Sequence, residues 1–417
     1  KITSPKVIMD IFESVDNNYR LFRRSAQKEV NYLVKEFECR KSADAYARAT
    51  VAKTGVLDCT KLHSYKYNED LFKKITTIPD GKNHGLIFIL DWSGSMSTVL
   101  MDTIKQLYNL IWFCKKVQIP FQVFAFSNEW NRYSNYDENN IMGHYNLPFE
   151  HHDIKDGQLI VENQFAMMEF LSSDVKKKDL EHHMLNIWRT AQVMDSRGRW
   201  NNNYYYQPPH GLNLSGTPLN EALVSLNQLI PQFKKKTGVQ KIQCITLTDG
   251  EAHPISYNKH FVMQDGRDYM GSRSTMHGSV FIRDNNGKTH FCGDNYHHLT
   301  ASLIQQLRGK FPDVNFLGIR VLDNRESSSF IRRYAEFDQD VVADLQQQWR
   351  KTKSVMVKDG GGYHAYFGLS SSALNQDSEF TVKEDATKAQ IKTAFKKSLS
   401  AKKMNKKVLG QFMQYIA

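Results

Sequence analysis

Apolar residues recur every three or four positions near the start of the chain, at Val15, Tyr19, Phe22, Ala26, Val30, Leu33 and Phe37, with charged residues between them. That period predicts a helix over about Pro5 to Tyr46. The pattern then changes. Gly55 to Phe72 mixes apolar and polar positions around turn residues and reads as a connector, followed by the loop "IPDGKNHG". Gly85 to Leu90 is an unbroken apolar run, as expected of a strand covered on both faces, and Val99 to Lys116 follows it with helical period. Pro120 to Phe126, Gln240 to Leu247 and Val314 to Leu322 repeat the strand pattern, and Thr217 to Lys236 repeats the helical one. Strands alternating with helices predict an α/β fold with a doubly wound, mostly parallel sheet. Ligands of such sheets collect at the carboxyl ends of the strands.

Two polar stretches interrupt this plan. Asn128 to Leu214 is rich in Asn, His, Tyr and Trp, with a modest helical pattern around Gln164 to Thr190; Glu251 to His298 is polar and contains at most a hairpin. Loops of this length are uncommon in a compact domain, and both are read as insertions at the carboxyl edge of the sheet. The expected organisation is a helical extension and connector over 1–80, an α/β domain over 81–385 with insertions at about 128–214 and 251–298, and basic helices over 386–417.

Charge changes the picture only at one end. The formal net charge is +11, and Ala386 to Ala417 holds eight lysines and no acid, so most of the excess lies there. Apolar residues at Ile391, Phe395, Leu399, Val408, Leu409, Phe412 and Ile416 make that tail two amphipathic helices with lysine faces. Such a face is most simply solvated, and it also offers a surface to an acidic partner or nucleic acid. A composition of 41% hydrophobic and 24% charged residues, without an apolar run of membrane-spanning length or the apolar middle of a signal peptide at Lys1 to Arg24, leads to the expectation of a cytoplasmic chain with no membrane contact. Five scattered cysteines without CxxC spacing fit a reducing compartment. The opening residue is Lys1 and not methionine, which leaves room for an upstream segment.

The chemistry gathers where the first apolar strand ends. In "DWSGS" Asp91, Ser93 and Ser95 can present one carboxylate and two hydroxyls to a single point, as a hard divalent cation such as Mg²⁺ or Mn²⁺ requires. Thr217, opening a helix in "LSGTPLNEAL", and Asp249, closing a strand in "ITLTDGE", fit the same edge. These three motifs, in this order, resemble a von Willebrand factor A-type domain with a complete metal-ion-dependent adhesion site. The resemblance implies a Rossmann-like fold and a cation held by Asp91, Ser93, Ser95, Thr217 and Asp249, with one position open to a partner's carboxylate. Trp92 and Glu251 are weaker candidates for touching that partner; Trp92 could also shield the metal, or equally well simply pack beside the loop. The separation of Ser95 from Thr217 exceeds the family's usual spacing, as a large insertion requires.

A wider resemblance covers most of the chain. "KTGVLDCTKLHSYKYNEDLFKKI", "HGLIFILDWSGSMS", "SGTPLNEAL" and "TDGE" are similar to the carboxyl-terminal half of the T subunit of aerobic cobaltochelatase, including versions carried by large tailed phages. That resemblance implies a non-catalytic adaptor acting with a ring-forming AAA+ ATPase, and a corrin or other tetrapyrrole complex as the site of cobalt insertion. No P-loop run occurs, so the chain is expected to have no ATP site of its own.

Other residues suit other classes of function. His290, Cys292, His297 and His298 are of types that suit zinc, but their spacing matches no standard site, and they read as polar loop residues. The aromatic stretch "RWNNNYYYQPPHG" could line a surface. Cys244, inside an apolar strand, reads as core. A nucleic-acid-associated protein using the lysine tail, or a virion structural protein using the cation site for adhesion, are the competing functions. Salt-dependent retention on nucleic acid that falls on removing Ala386 to Ala417 would mark the first. Presence in purified particles would mark the second.

Overall fold

The computed structural model describes residues 5–47, 50–57, 66, 72–77, 83–129, 154–162, 164–196, 208–209, 211–249, 252–277, 279–284, 286–293, 296–322, 325–335 and 338–370. The chain opens with the helix α1 (Pro5–Ala47), then a two-stranded antiparallel ribbon of β1 (Thr50–Leu57) and β2 (Phe72–Thr77). The connector predicted over Gly55 to Phe72 thus supplies the end of one ribbon strand and the start of the other.

The central sheet begins with β3 (His84–Asp91), followed by α2 (Leu100–Val117) and β4 (Phe121–Ser127). Next come β5 (Leu159–Ile160), β6 (Ala166–Ser172), α3 (Lys177–Met194), α4 (Leu219–Thr237) and β7 (Lys241–Thr248). Two short antiparallel pairs follow, β8 (Ser256–Val262) with β9 (Asp268–Ser274), and β10 (Phe281–Arg283) with β11 (Thr289–Phe291). The remaining elements are α5 (Tyr296–Lys310), β12 (Val314–Leu322), α6 (Ser327–Tyr334), α7 (Gln339–Thr352), β13 (Ser354–Lys358) and β14 (Ala365–Ser370).

Seven strands form the main sheet in the order β13-β14-β12-β7-β3-β4-β6. The five inner strands run parallel; β13 and β6 close the two edges antiparallel to their neighbours. The protein is therefore a mixed α/β fold with a mostly parallel sheet, as the alternating pattern predicts. β3, β4 and β7 lie between layers on both faces and are buried almost throughout, which explains why they read as continuous apolar runs.

The faces have different covers. Leu86, Phe88 and Leu90 of β3 join α1, α2 and α3 in one core; Ile87 and Ile89 join α4, α5, α6 and α7 in the other. α1 is more than an appendage. Its Tyr19 meets Tyr108 edge-on at 6.2 Å, its Phe22 stacks on Trp188 at 5.2 Å, and Arg189 makes two bonds of 2.9 and 2.7 Å to Asp16.

The stretch 128–214, expected as an insertion on the carboxyl edge, includes parts of the framework. β6 extends the sheet beside β4, and α3 packs against α1 and α2. Its mixed pattern reflects one-sided exposure: β6 is an edge strand and α3 keeps a solvated face, so neither shows the unbroken apolar run of the inner strands. Within 251–298 the structure has two hairpins where at most one was expected. The tail 386–417 lies outside the described residues.

Candidate functional site

β3 ends at the carboxyl edge of the sheet, and Asp91 is its last residue, with no exposed surface. Thr248, at the end of the neighbouring β7, donates its hydroxyl to Asp91 Oδ2 at 2.7 Å. Asp91 Oδ1 is buried and has no hydrogen-bond partner. Burial pushes the Asp91 carboxyl up to about 7, and the nearby negative charge of Asp249 adds to the shift. Two carboxylates crowded at a dry edge repel one another until something positive joins them.

The hydroxyls stand beside the acid. After β3 the chain turns through Trp92 to Gly94 into a short 3-10 turn, Ser95–Thr98, which leads into α2. Ser93 is buried, Ser95 is exposed, and their Oγ atoms are 3.0 Å apart. A parallel bridge between Ser93 and Ser215, with Gly94 N donating to Ser215 O at 2.7 Å, ties this turn to the segment before α4. That segment carries Thr217, 7% exposed, two residues further on. The structure thus brings the first and third motifs together at Asp91 and Asp249, and holds the segment of the second beside Ser93.

The support around Thr217 leaves little trace in the sequence. Thr217 O accepts from His253 N at 3.1 Å, His253 O accepts from Asn220 Nδ2 at 2.6 Å, and Asn220 Oδ1 accepts from Thr300 at 2.8 Å. Gly216 lets two side chains approach closely: a Cβ there would stand 2.8 Å from Asn128 Oδ1 and 2.9 Å from His253 Cε1, and both would have to shift. Behind them Glu221, only 2% exposed, has its carboxyl pushed up to about 7 by burial, with the charge of Glu162 adding to the rise. The sequence hints at this only through "TPLNEAL", where Asn220 and Glu221 are polar residues in a helix that is otherwise apolar on its inner face.

Trp92 departs from the reading as a partner contact. It has no exposed surface, its Nε1 donates to Leu212 O at 2.8 Å, and its ring stands edge-on to Phe170 at 5.1 Å. The indole anchors the turn to β6 and to the segment before α4, which removes it from any docking surface. Glu251 lies outside the described residues, as does most of "RWNNNYYYQPPHG". Ser196 N, just after α3, donates to Ser97 O at 2.9 Å, so α3 is also fastened to the motif turn.

His290 and His297 of the second polar stretch are engaged elsewhere. His290 Nδ1 lies 3.0 Å from Gln305 Oε1 and its Nε2 lies 3.4 Å from Asp284 Oδ2, while the His297 ring meets Tyr334. Among the described residues no three His, Cys, Asp or Glu side chains are grouped to hold a metal. Cys244 is buried and its thiol is pushed far above the ordinary range by desolvation, in keeping with a core residue.

The chain matches no protein-family model and no curated protein. The chemistry of the edge stands on its own residues. A carboxylate with one sealed, unpartnered oxygen, a second carboxylate nearby and two hydroxyls in contact form a donor set of hard oxygens, which fits Mg²⁺ or Mn²⁺ better than zinc. Among the described residues no helix is long and apolar enough to cross a membrane.

Proposed function

We propose that this chain is a divalent-cation-dependent protein-binding subunit, built on a von Willebrand A-type domain, which acts with a AAA+ ATPase in a cobaltochelatase-like complex. One observation carries the first half: Asp91 is fully buried at the carboxyl edge with Oδ1 unpartnered and Asp249 close by. An unpaired buried carboxylate costs several kcal/mol unless its charge is met. The second half rests on the resemblance carried by the quoted motifs.

Asp91, Ser93, Ser95, Thr217 and Asp249 would hold Mg²⁺ or Mn²⁺, which when bound supplies a Lewis-acidic position for a partner's aspartate or glutamate. The chain's own residues set the geometry. Thr248 fixes the Asp91 carboxylate by one oxygen and leaves the other for the cation. The Ser93–Ser215 bridge keeps the Thr217 segment in register with the serines. Trp92 locks the turn from beneath, and the bonds through His253 and Asn220 fasten Thr217 to α4 and α5. Force from an ATPase engaged at this edge would pass into α2 and α4, whose first turns follow the site directly.

The test is titration calorimetry of Mg²⁺ into the full chain and its Asp91→Ala variant, together with affinity capture in Mg²⁺ or EDTA. The reading expects Mg²⁺ binding that D91A abolishes, and capture of a AAA+ ATPase that EDTA abolishes. Capture that survives both EDTA and D91A would overturn it.

A further inference from the structure

The two half-buried arginines among the described residues, Arg189 and Arg308, are both paired. Arg189 bonds both oxygens of Asp16, and Arg308 bonds Gly362 O at 2.9 Å and Asp359 Oδ1 at 3.0 Å. Arg320 is more deeply buried, 9% exposed, yet its Nε has no hydrogen-bond partner. None of the ion pairs among the described residues includes it. Only this Nε is sealed without an acceptor; a buried guanidinium nitrogen left unpaired is costly, and an anion at the guanidinium would relieve it.

Its position gives that vacancy a direction. Arg320 on β12 is level with Thr248 on β7, and Leu90 is level with Leu247, so Asp91 is level with Thr248 on the next strand. Side chains two apart along a strand share a face. Ile89, Cys244, Phe316 and Leu322 all belong to the core under α4 and α5, which puts Asp91, Thr248 and Arg320 in one row on that face. The row runs along the carboxyl edge, and two strand spacings separate its ends, about 10 Å. That spacing separates backbones, and among the described residues no hydrogen bond or ion pair joins Asp91 to Arg320.

We propose that Arg320 receives a second carboxylate of the acidic protein segment that docks on the Asp91 site, so that the partner is read as a pair of acids and not as one. This rests on the cation-dependent reading above and names the partner chemistry of that site. Arg is suited to the task because its planar fork binds a carboxylate through two parallel hydrogen bonds. A single partner acid would satisfy the cation and leave Arg320 unmet.

The experiment compares propionate with the linear dicarboxylates from succinate to suberate, titrated into the full chain with and without Mg²⁺. Expected is Mg²⁺-dependent binding of all of them, with at least one dicarboxylate about tenfold tighter than propionate. Arg320→Met should shrink that advantage to twofold or less, with Mg²⁺ affinity and propionate binding kept and a melting temperature no lower than wild type. If R320M loses its cooperative melt, R320Q and R320K carry the comparison: the first removes the advantage, the second keeps part of it. A dicarboxylate advantage that persists in R320M and R320Q, or its absence in a wild type that binds propionate through Mg²⁺, overturns the inference. A change confined to Mg²⁺ affinity in these variants overturns it too, because Arg320 would then only balance the two aspartates. Failure of Mg²⁺ to bind at all is a different result: it removes the cation-dependent reading, and this inference falls with it.

Discussion

An aspartate in an unfolded chain titrates near 4, whereas Asp91 in the folded protein is pushed up to about 7, first by burial and then by Asp249. The folded state therefore keeps a proton that the unfolded state has released. That difference stabilises the fold fully below about pH 4 and is lost as the pH rises through 7. In EDTA the melting temperature is expected to fall between pH 5 and pH 8, and Mg²⁺ should raise it more at pH 8, where protons no longer compete for the carboxylate. Asp91→Asn should melt higher than wild type in EDTA at pH 8 and show no response to Mg²⁺; a melt insensitive to pH and to Mg²⁺ in the wild type would contradict this. Glu221 titrates in the same direction, its carboxyl raised to about 7 within the α4 core. Glu221→Gln keeps the shape without the charge, and denaturant unfolding at pH 8 should show a gain of about 1–3 kcal/mol that vanishes by pH 5. Asp91, Ser93, Thr217 and Asp249 were legible because hydroxyls and acids are conspicuous at the ends of apolar strands. Thr248 and Arg320 were not, because Thr248 closes its strand beside the more conspicuous Asp249, Arg320 sits inside its strand, and only the register shows which neighbours they face.

At the level of elements, helices gain their hold through aromatic contacts as much as through their own propensity. Trp188 of α3 is 2% exposed and meets Phe22 and Tyr19 of α1 and Tyr108 of α2. Trp188→Ala is expected to cost about 3–5 kcal/mol and to release α1 first, read as faster amide exchange in α1 than in β3 and β7. Uniform loss of protection across the sheet would instead mean that α1 and the sheet unfold as one. The inner strands β3, β4, β7 and β12 and the helices α1, α2 and α4 were plain in the sequence because burial on both sheet faces, or one helical stripe, leaves an unmixed pattern. β6 and α3 were obscured by partial exposure, and β13, though mostly buried, by being only five residues long. The β8–β9 hairpin is polar on most of its surface and has no core face to imprint a period. Asp338 does cap α7 by accepting from Asp340 N and Val341 N, a signal visible in "DQDVV" but weak without an apolar run behind it.

For the whole molecule, the order of strands in the sheet differs from their order along the chain. β14, the last described strand, lies inside the sheet between β12 and β13, and Leu317 to Leu322 of β12 pair with it along their whole length. A chain emerging from the ribosome therefore presents β12 with one bare edge until Ser370 has been made, and a bare parallel edge is a template for other chains. A stop before Ala365 should yield insoluble protein although Asp91, Thr217 and Asp249 are all present, and fractionation of a series of truncations would show where solubility returns. Synthesis of β14 is thus a checkpoint: the edge that carries Asp91, Thr217 and Asp249 is encoded before the strand that seals the sheet beside β12 and keeps it from aggregating.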